Sequence, residues 1–128
     1  RMHIWALWVS FGGAVVANAA LKLLFARPRP TFFPPLMVET DYSFPSGHVI
    51  AATALYGFLA LLLWHNRQRL YALLVALPIP LVALSRVYLG VHYPSDVLGA
   101  FAVGILWLAL VWVIYLRFQP VPVEPVRR

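Results

Sequence analysis

Long apolar runs alternate with short polar islands along this chain. Residues 4–21, 49–64, 70–84 and 97–116 carry no charged side chain. An α-helix rises about 1.5 Å per residue and a bilayer's hydrocarbon core is about 30 Å thick, so a span takes about 20 residues. The fourth run is long enough to cross, and the first is too once the turn through Phe25 is added. The second and third are short and can be completed by the polar residues flanking them. Pro78 and Pro80 should kink the third, because each removes a backbone donor from the helix. The pattern predicts an all-α fold, a multi-pass transmembrane helical bundle with four spans.

The connections between the runs differ. Residues 27–45 are proline-rich and hold Glu39 and Asp41, which reads as an exposed loop. Residues 65–69 form a tight basic turn, and 87–95 form a short connection with polar residues. From residue 119 onward Pro120, Pro122 and Pro125 predict a disordered cytoplasmic tail. The chain thus divides into a transmembrane domain, 1–118, and a tail, 119–128, with no internal repeat and no second domain.

Composition narrows the solvent. The chain is 62% hydrophobic and only 11% charged, whereas soluble domains are about half apolar and about a quarter charged. Most of its surface therefore faces lipid. A net charge of +6 raises the question of nucleic acid. The basic residues are scattered among apolar runs instead of forming a stripe, so no nucleic-acid partner is expected. The absence of cysteine excludes disulfides and thiolate chemistry. The first apolar run is too long for a cleavable signal peptide and lacks a small-residue cleavage site.

The three polar islands are Lys22-x6-Arg29-Pro30, Pro45-Ser46-Gly47-His48 and Ser85-Arg86-x5-His92-x3-Asp96. With four crossings, all three meet the same face of the bilayer. The opposite face receives Arg1, Arg67, Arg69, Arg117, Arg127 and Arg128. The positive-inside rule then places the islands on the extracytoplasmic side of the plasma membrane. Trp5, Trp8, Trp64, Tyr71 and Tyr115 lie near span ends and suit interfacial belts.

The island residues suit phosphoryl transfer. His92 and Asp96 are four apart, so one helical turn or a tight bend brings them together. A carboxylate on one imidazole nitrogen fixes the tautomer and frees the other nitrogen as a nucleophile. His48 can protonate the leaving oxygen, which as an alkoxide leaves poorly. Lys22, Arg29 and Arg86 can neutralise phosphoryl oxygens. Ser46 and Gly47 precede a helix, whose free N–H groups favour an anion. Such a cationic pocket repels a divalent ion, so neither a metal nor a cofactor is expected.

These motifs resemble those of the type 2 phosphatidic acid phosphatase superfamily, which includes membrane lipid phosphatases and shares its site with soluble vanadate haloperoxidases. All eleven fixed positions match, in order, between Lys22 and Asp96. The hydrophobicity favours the membrane branch, similar to bacterial phosphatidylglycerophosphate and undecaprenyl-pyrophosphate phosphatases. The resemblance implies His92 as nucleophile forming a phosphohistidine, Asp96 as its partner and His48 as general acid. Lys22, Arg29, Ser46, Gly47 and Arg86 are then the phosphate cradle, and a lipid phosphomonoester or pyrophosphate in the membrane is the substrate. Membrane members usually have six spans, so the four here read as part of a six-span core, either a fragment or a reduced version. Two other readings stand beside hydrolysis: a lipid phosphotransferase using the same site, and a non-catalytic phospholipid-binding module.

Taken singly, most of these residues have plainer explanations. Lys22 or Arg86 alone would be a snorkelling span end, Asp96 a helix-start residue, Ser46 a cap. Only their conjunction at three fixed spacings argues for chemistry. Asn18 reads as interhelical glue, Gly12 and Gly13 as close helix packing, and His3 and His65 as non-catalytic residues of the opposite face. Arg27 is a candidate for assisting an anionic head group.

Overall fold

The computed structural model describes residues 2–31 and 36–119. It holds five helices: α1 (Met2–Phe25), α2 (Gly47–His65), α3 (Arg69–Ala76), α4 (Pro78–Tyr88) and α5 (Pro94–Arg117). No strand occurs among the described residues. α3 and α4 together form one interrupted crossing, Arg69–Tyr88, so four spans are long and apolar enough to traverse a bilayer. The break falls at the expected prolines. Leu77 keeps helical angles, but Pro78 and Pro80 cannot donate to the preceding turn. α1, α4 and α5 extend beyond their apolar runs and take motif residues into their end turns, and α2 begins at Gly47 of the second motif. The tail beyond Gln119 lies outside the described residues.

α2 is the central helix and packs against all four others. Near the end where α2 and α5 begin, Ala14, Val49, Ile50, Ala54, Ala83, Val97 and Ala100 form one buried cluster. Towards the other end Phe58, Val111 and Tyr115 form a second, braced by Trp112. Small residues allow this close approach. A Cβ on Gly13 would fall 2.1 Å from the Trp107 ring, and one on Gly104 would meet Thr53 at 3.0 Å. Gly12, by contrast, has nothing within 4 Å, so close packing belongs to Gly13 alone of that pair. Gly104→Val should cost about 1–3 kcal/mol by overpacking. A lower thermal midpoint in detergent is the expected result.

Outside, the usual polarity is inverted. Ile4, Val16, Leu23, Leu73, Leu84, Leu98 and Leu106 are all exposed, as suits a bundle dissolved in lipid. Polar contacts lie inside instead. Ser10 Oγ donates to the Ala54 carbonyl at 2.9 Å, and Trp107 Nε1 donates to the Ser10 carbonyl at 2.8 Å, which ties α1 to α2 and α5. Trp5, Trp8, Trp64 and Tyr71 are exposed, as interfacial residues should be. Tyr115 differs from the belt expectation. It is buried, stacks on Trp112 and hydrogen-bonds His3 Nδ1 at 2.5 Å, because it sits on the inward face of α5. His65 packs edge-on against Trp112. His3 and His65 thus both belong to the end of the bundle away from the motifs.

Candidate active site

Chain reversal brings the islands together. α1 ends one turn after Lys22, where the Ala26 N–H bonds the Lys22 carbonyl at 2.9 Å and Ala26 adopts a left-handed φ of 42°. Pro28 and Pro30 then keep the chain extended. It folds back over the helix ends, and the Ser43 N–H donates to the Arg27 carbonyl at 2.9 Å. α4 ends after Arg86, and Gly90, at φ 71°, makes the left-handed turn that sends the chain towards His92. α5 opens at Pro94, with the Asp96 carboxylate accepting the Tyr93 N–H at 2.9 Å. Asp96 is therefore a helix-start residue as well as a neighbour of His92.

A cavity of about 300 Å³ forms where these turns meet. Lys22, Gly47, His48 and His92 line it, together with Asn18, Glu39 and Asp41. His92 is 3% exposed and Asp96 fully buried. His92 Nδ1 lies 3.5 Å from Asp96 Oδ2, in ion-pair range but longer than a hydrogen bond. Its Nε2 lies 3.5 Å from Arg29 Nη1, which is held in place by donating to the Val91 carbonyl at 2.8 Å. One ring nitrogen thus faces a carboxylate and the other a guanidinium, while His48 is exposed on the first turn of α2.

The remaining predicted residues are placed less directly. Arg86 reaches the group through Glu39, 3.6 Å from its Nη1. Ser46 is fully buried at the N-cap of α2, and its hydroxyl neither caps the helix nor finds another partner among the described residues. The capping role read from sequence is thus filled by position alone. Asn18 presses on Gly47: a Cβ there would sit 2.8 Å from the Asn18 amide nitrogen. Its buried Oδ1 has no partner among the described residues, so Asn18 packs between helices without the expected interhelical bond. No group of three or more His, Asp or Glu side chains among the described residues is arranged to hold a metal ion.

Four site residues stand out in the structure that motif reading passed over or misplaced. Arg27, read as a candidate for an anionic head group, lies against Asp96. Its Nη1 donates to Asp96 Oδ1 at 2.7 Å and to Ser95 Oγ at 2.9 Å, and its guanidinium lies over the Tyr93 ring at 4.3 Å. Ser43 donates to the other Asp96 oxygen. Glu39 and Asp41, read as loop carboxylates, lie against the motif cations. Asp41 contacts Lys22 at 2.5 Å and also Arg29, and Glu39 contacts Arg29 at 2.5 Å. The signal available in sequence was charge balance alone: two acids in a loop between basic motifs.

Electrostatics follow from this packing. Burial, then the Arg29 charge, push the His92 pKa below the ordinary histidine value, and Asp96 and Glu39 only partly offset them. Burial raises the Asp41 carboxyl, but the Lys22 and Arg29 contacts outweigh it and hold Asp41 below the ordinary range. A histidine kept neutral by folding contributes stability that is fully present above its unfolded value of about 6.5. That contribution is lost as pH falls from there through the folded-state value. The thermal midpoint should therefore drop on acidification below about pH 6.5, and His92→Asn should remove that component.

Comparison with known proteins identifies the family. A family model, the PAP2 superfamily, matches residues 3–120. Phosphatidylglycerophosphatase B of Bacillus subtilis is 38% identical over 107 residues, covering 79% of this chain and 52% of that protein. An undecaprenyl-diphosphatase of Sulfolobus acidocaldarius is 34% identical over 127 residues, covering 95% and 57% respectively. The chain thus spans a little over half the length of these relatives. The crystal structure of a transmembrane PAP2 type phosphatidylglycerolphosphate phosphatase from Bacillus subtilis superposes with a TM-score of 0.80 at 34% identity. It covers 88% of this chain and 59% of that one. A membrane-spanning bundle with its three motifs drawn to one cavity, matched over nearly its whole length, belongs to the PAP2 superfamily.

Proposed function

We propose that this chain hydrolyses a lipid phosphomonoester or lipid pyrophosphate through a phosphohistidine, at the extracytoplasmic face of the plasma membrane. One observation carries the reading: both motif histidines line a single cavity, with Asp96 against one nitrogen of His92 and a guanidinium beside the other. Nδ1 carries the proton and faces Asp96. Nε2 attacks phosphorus, and the bond from phosphorus to the lipid oxygen breaks. His48 gives that oxygen its proton. Water then attacks the phosphohistidine, with His48 taking its proton, and inorganic phosphate leaves. Lys22, Arg29 and Arg86 neutralise the equatorial oxygens throughout, beside the N-terminus of α2 with Ser46 and Gly47.

The relatives' names suggest phosphatidylglycerophosphate and undecaprenyl diphosphate as the first substrates to try. Phosphate release from either, in detergent and undiminished by a chelator, is the expected result. Absence of release from both would overturn the reading. The chain has no cysteine, so single cysteines at Ser95 and Gln68 report sidedness cleanly. An impermeant maleimide applied to intact cells should label the first and spare the second.

Arg27 tests the role of Asp96. It touches the carboxylate and not the cavity, so Arg27→Gln should lower kcat while leaving KM unchanged. A drop of about ten- to a hundredfold corresponds to one hydrogen bond between charged groups. Arg27→Lys should recover part of it. A change confined to KM would instead assign Arg27 to substrate binding.

A further inference from the structure

The phosphate cradle is already occupied by the protein's own carboxylates. Lys22 pairs with Asp41 at 2.5 Å, Arg29 with both Asp41 and Glu39, and Arg86 with Glu39 at 3.6 Å. Each carboxylate therefore bridges two of the three motif cations, as a phosphoryl group would. Three cations less two carboxylates leave the cradle one net positive charge. The two acids differ in setting: the Glu39 side chain is 17% exposed and that of Asp41 is 57% exposed. Asp41 already faces water, so displacing it costs little extra hydration change. Glu39 is the more firmly seated.

The location of the cradle makes this balance consequential. It lies at the mouth of a lipid-embedded bundle, where phosphodiester lipids surround it in large excess over any phosphomonoester. Occupancy by a competitor grows with its concentration over its dissociation constant. A bare cradle of three cations would bind the monoanionic phosphodiester of bulk lipids and stay blocked. From this, and resting on the phosphatase reading above, we infer that Glu39 and Asp41 are specificity-determining residues that exclude phosphodiester lipids from the site. A monoanion brings too little charge to replace two carboxylates. A phosphomonoester dianion or a pyrophosphate matches the charge it displaces and enters. Discrimination here comes from a built-in competitor set between two classes of ligand.

The test uses the full chain and the variants Glu39→Gln, Asp41→Asn and their combination, all near-isosteric. Phosphate release from a lipid phosphomonoester is measured in neutral detergent micelles with increasing phosphatidylglycerol, and lipid retained per chain is read by native mass spectrometry. In micelles without phosphatidylglycerol, the double variant should show a lower KM. With phosphatidylglycerol present, its inhibition should be about tenfold or more stronger than in wild type, as expected when opposing charges are removed from a binding site. Retained phosphatidylglycerol should rise in step, with each single variant intermediate. Equal inhibition and equal retention in wild type and double variant would overturn the inference. So would a raised KM in neutral micelles, because the carboxylates would then only orient Arg29 and Arg86. A wild type that releases no phosphate, while retention still rises in the variants, would sink the enzymatic reading and leave the charge exclusion standing.

Discussion

His92→Ala should abolish phosphate release from lipid and aryl phosphates alike. A covalent nucleophile has no substitute, whatever the leaving group, and losses on the order of 10⁴- to 10⁶-fold are typical when one is removed. The geometry leaves little room for replacement. His92 is 3% exposed, and its Nε2 lies 3.5 Å from Arg29 Nη1. No other imidazole lines the cavity except His48. Labelled phosphate trapped by rapid acid-free quenching should appear on wild-type protein and disappear from the variant. Asp96→Asn should act in the same direction but less completely, since under the proposed mechanism it removes the group that fixes the tautomer and leaves the attacking nitrogen. Retention of most activity in His92→Ala, or a labelled intermediate surviving there, would move the nucleophile to another residue.

Much of the architecture that positions His92 could be read from the chain. The four charge-free runs became four crossings, because in lipid a backbone must satisfy its own hydrogen bonds and apolar length alone dictates a helix. Pro78 and Pro80 marked the interruption of the third crossing for an equally local reason. Convergence of the islands followed from counting crossings. What escaped was set by side-chain direction. Tyr115 sits near a span end like Trp64 or Tyr71, yet it points inward to His3, and no periodicity in a run apolar on every side marks which face is inner. Gly12 and Gly13 are likewise indistinguishable in sequence, and only the second meets Trp107. Residues two apart in an extended segment share a face, yet Arg27 and Arg29 part. Arg29 turns to His92 and Arg27 to the far side of Asp96. Motif spacing identified the first and carried nothing about the second.

The second large effect separates the two histidines by chemistry instead of position. His48→Ala should slow hydrolysis of a lipid phosphomonoester by about 10²- to 10⁴-fold, the usual worth of a general acid. An aryl phosphate should lose far less, because its phenolate is a weak base that departs without a proton. A lipid pyrophosphate should fall between them, since its leaving group is a phosphate, better than an alkoxide. This ordering depends on His48 lying where the leaving oxygen emerges. It is exposed on the first turn of α2 and lines the same cavity as the buried His92, beside the bulk of the lipid-facing bundle. The dephosphorylation step is common to all three substrates and follows the first irreversible step, so a loss of base function there leaves kcat/KM unchanged. Graded losses in kcat/KM therefore report proton donation, and unchanged ratios would assign His48 to water activation alone. Measuring kcat/KM for the three substrates on one preparation of the variant distinguishes these outcomes without reference to folding, because any misfolded fraction scales every rate by the same factor.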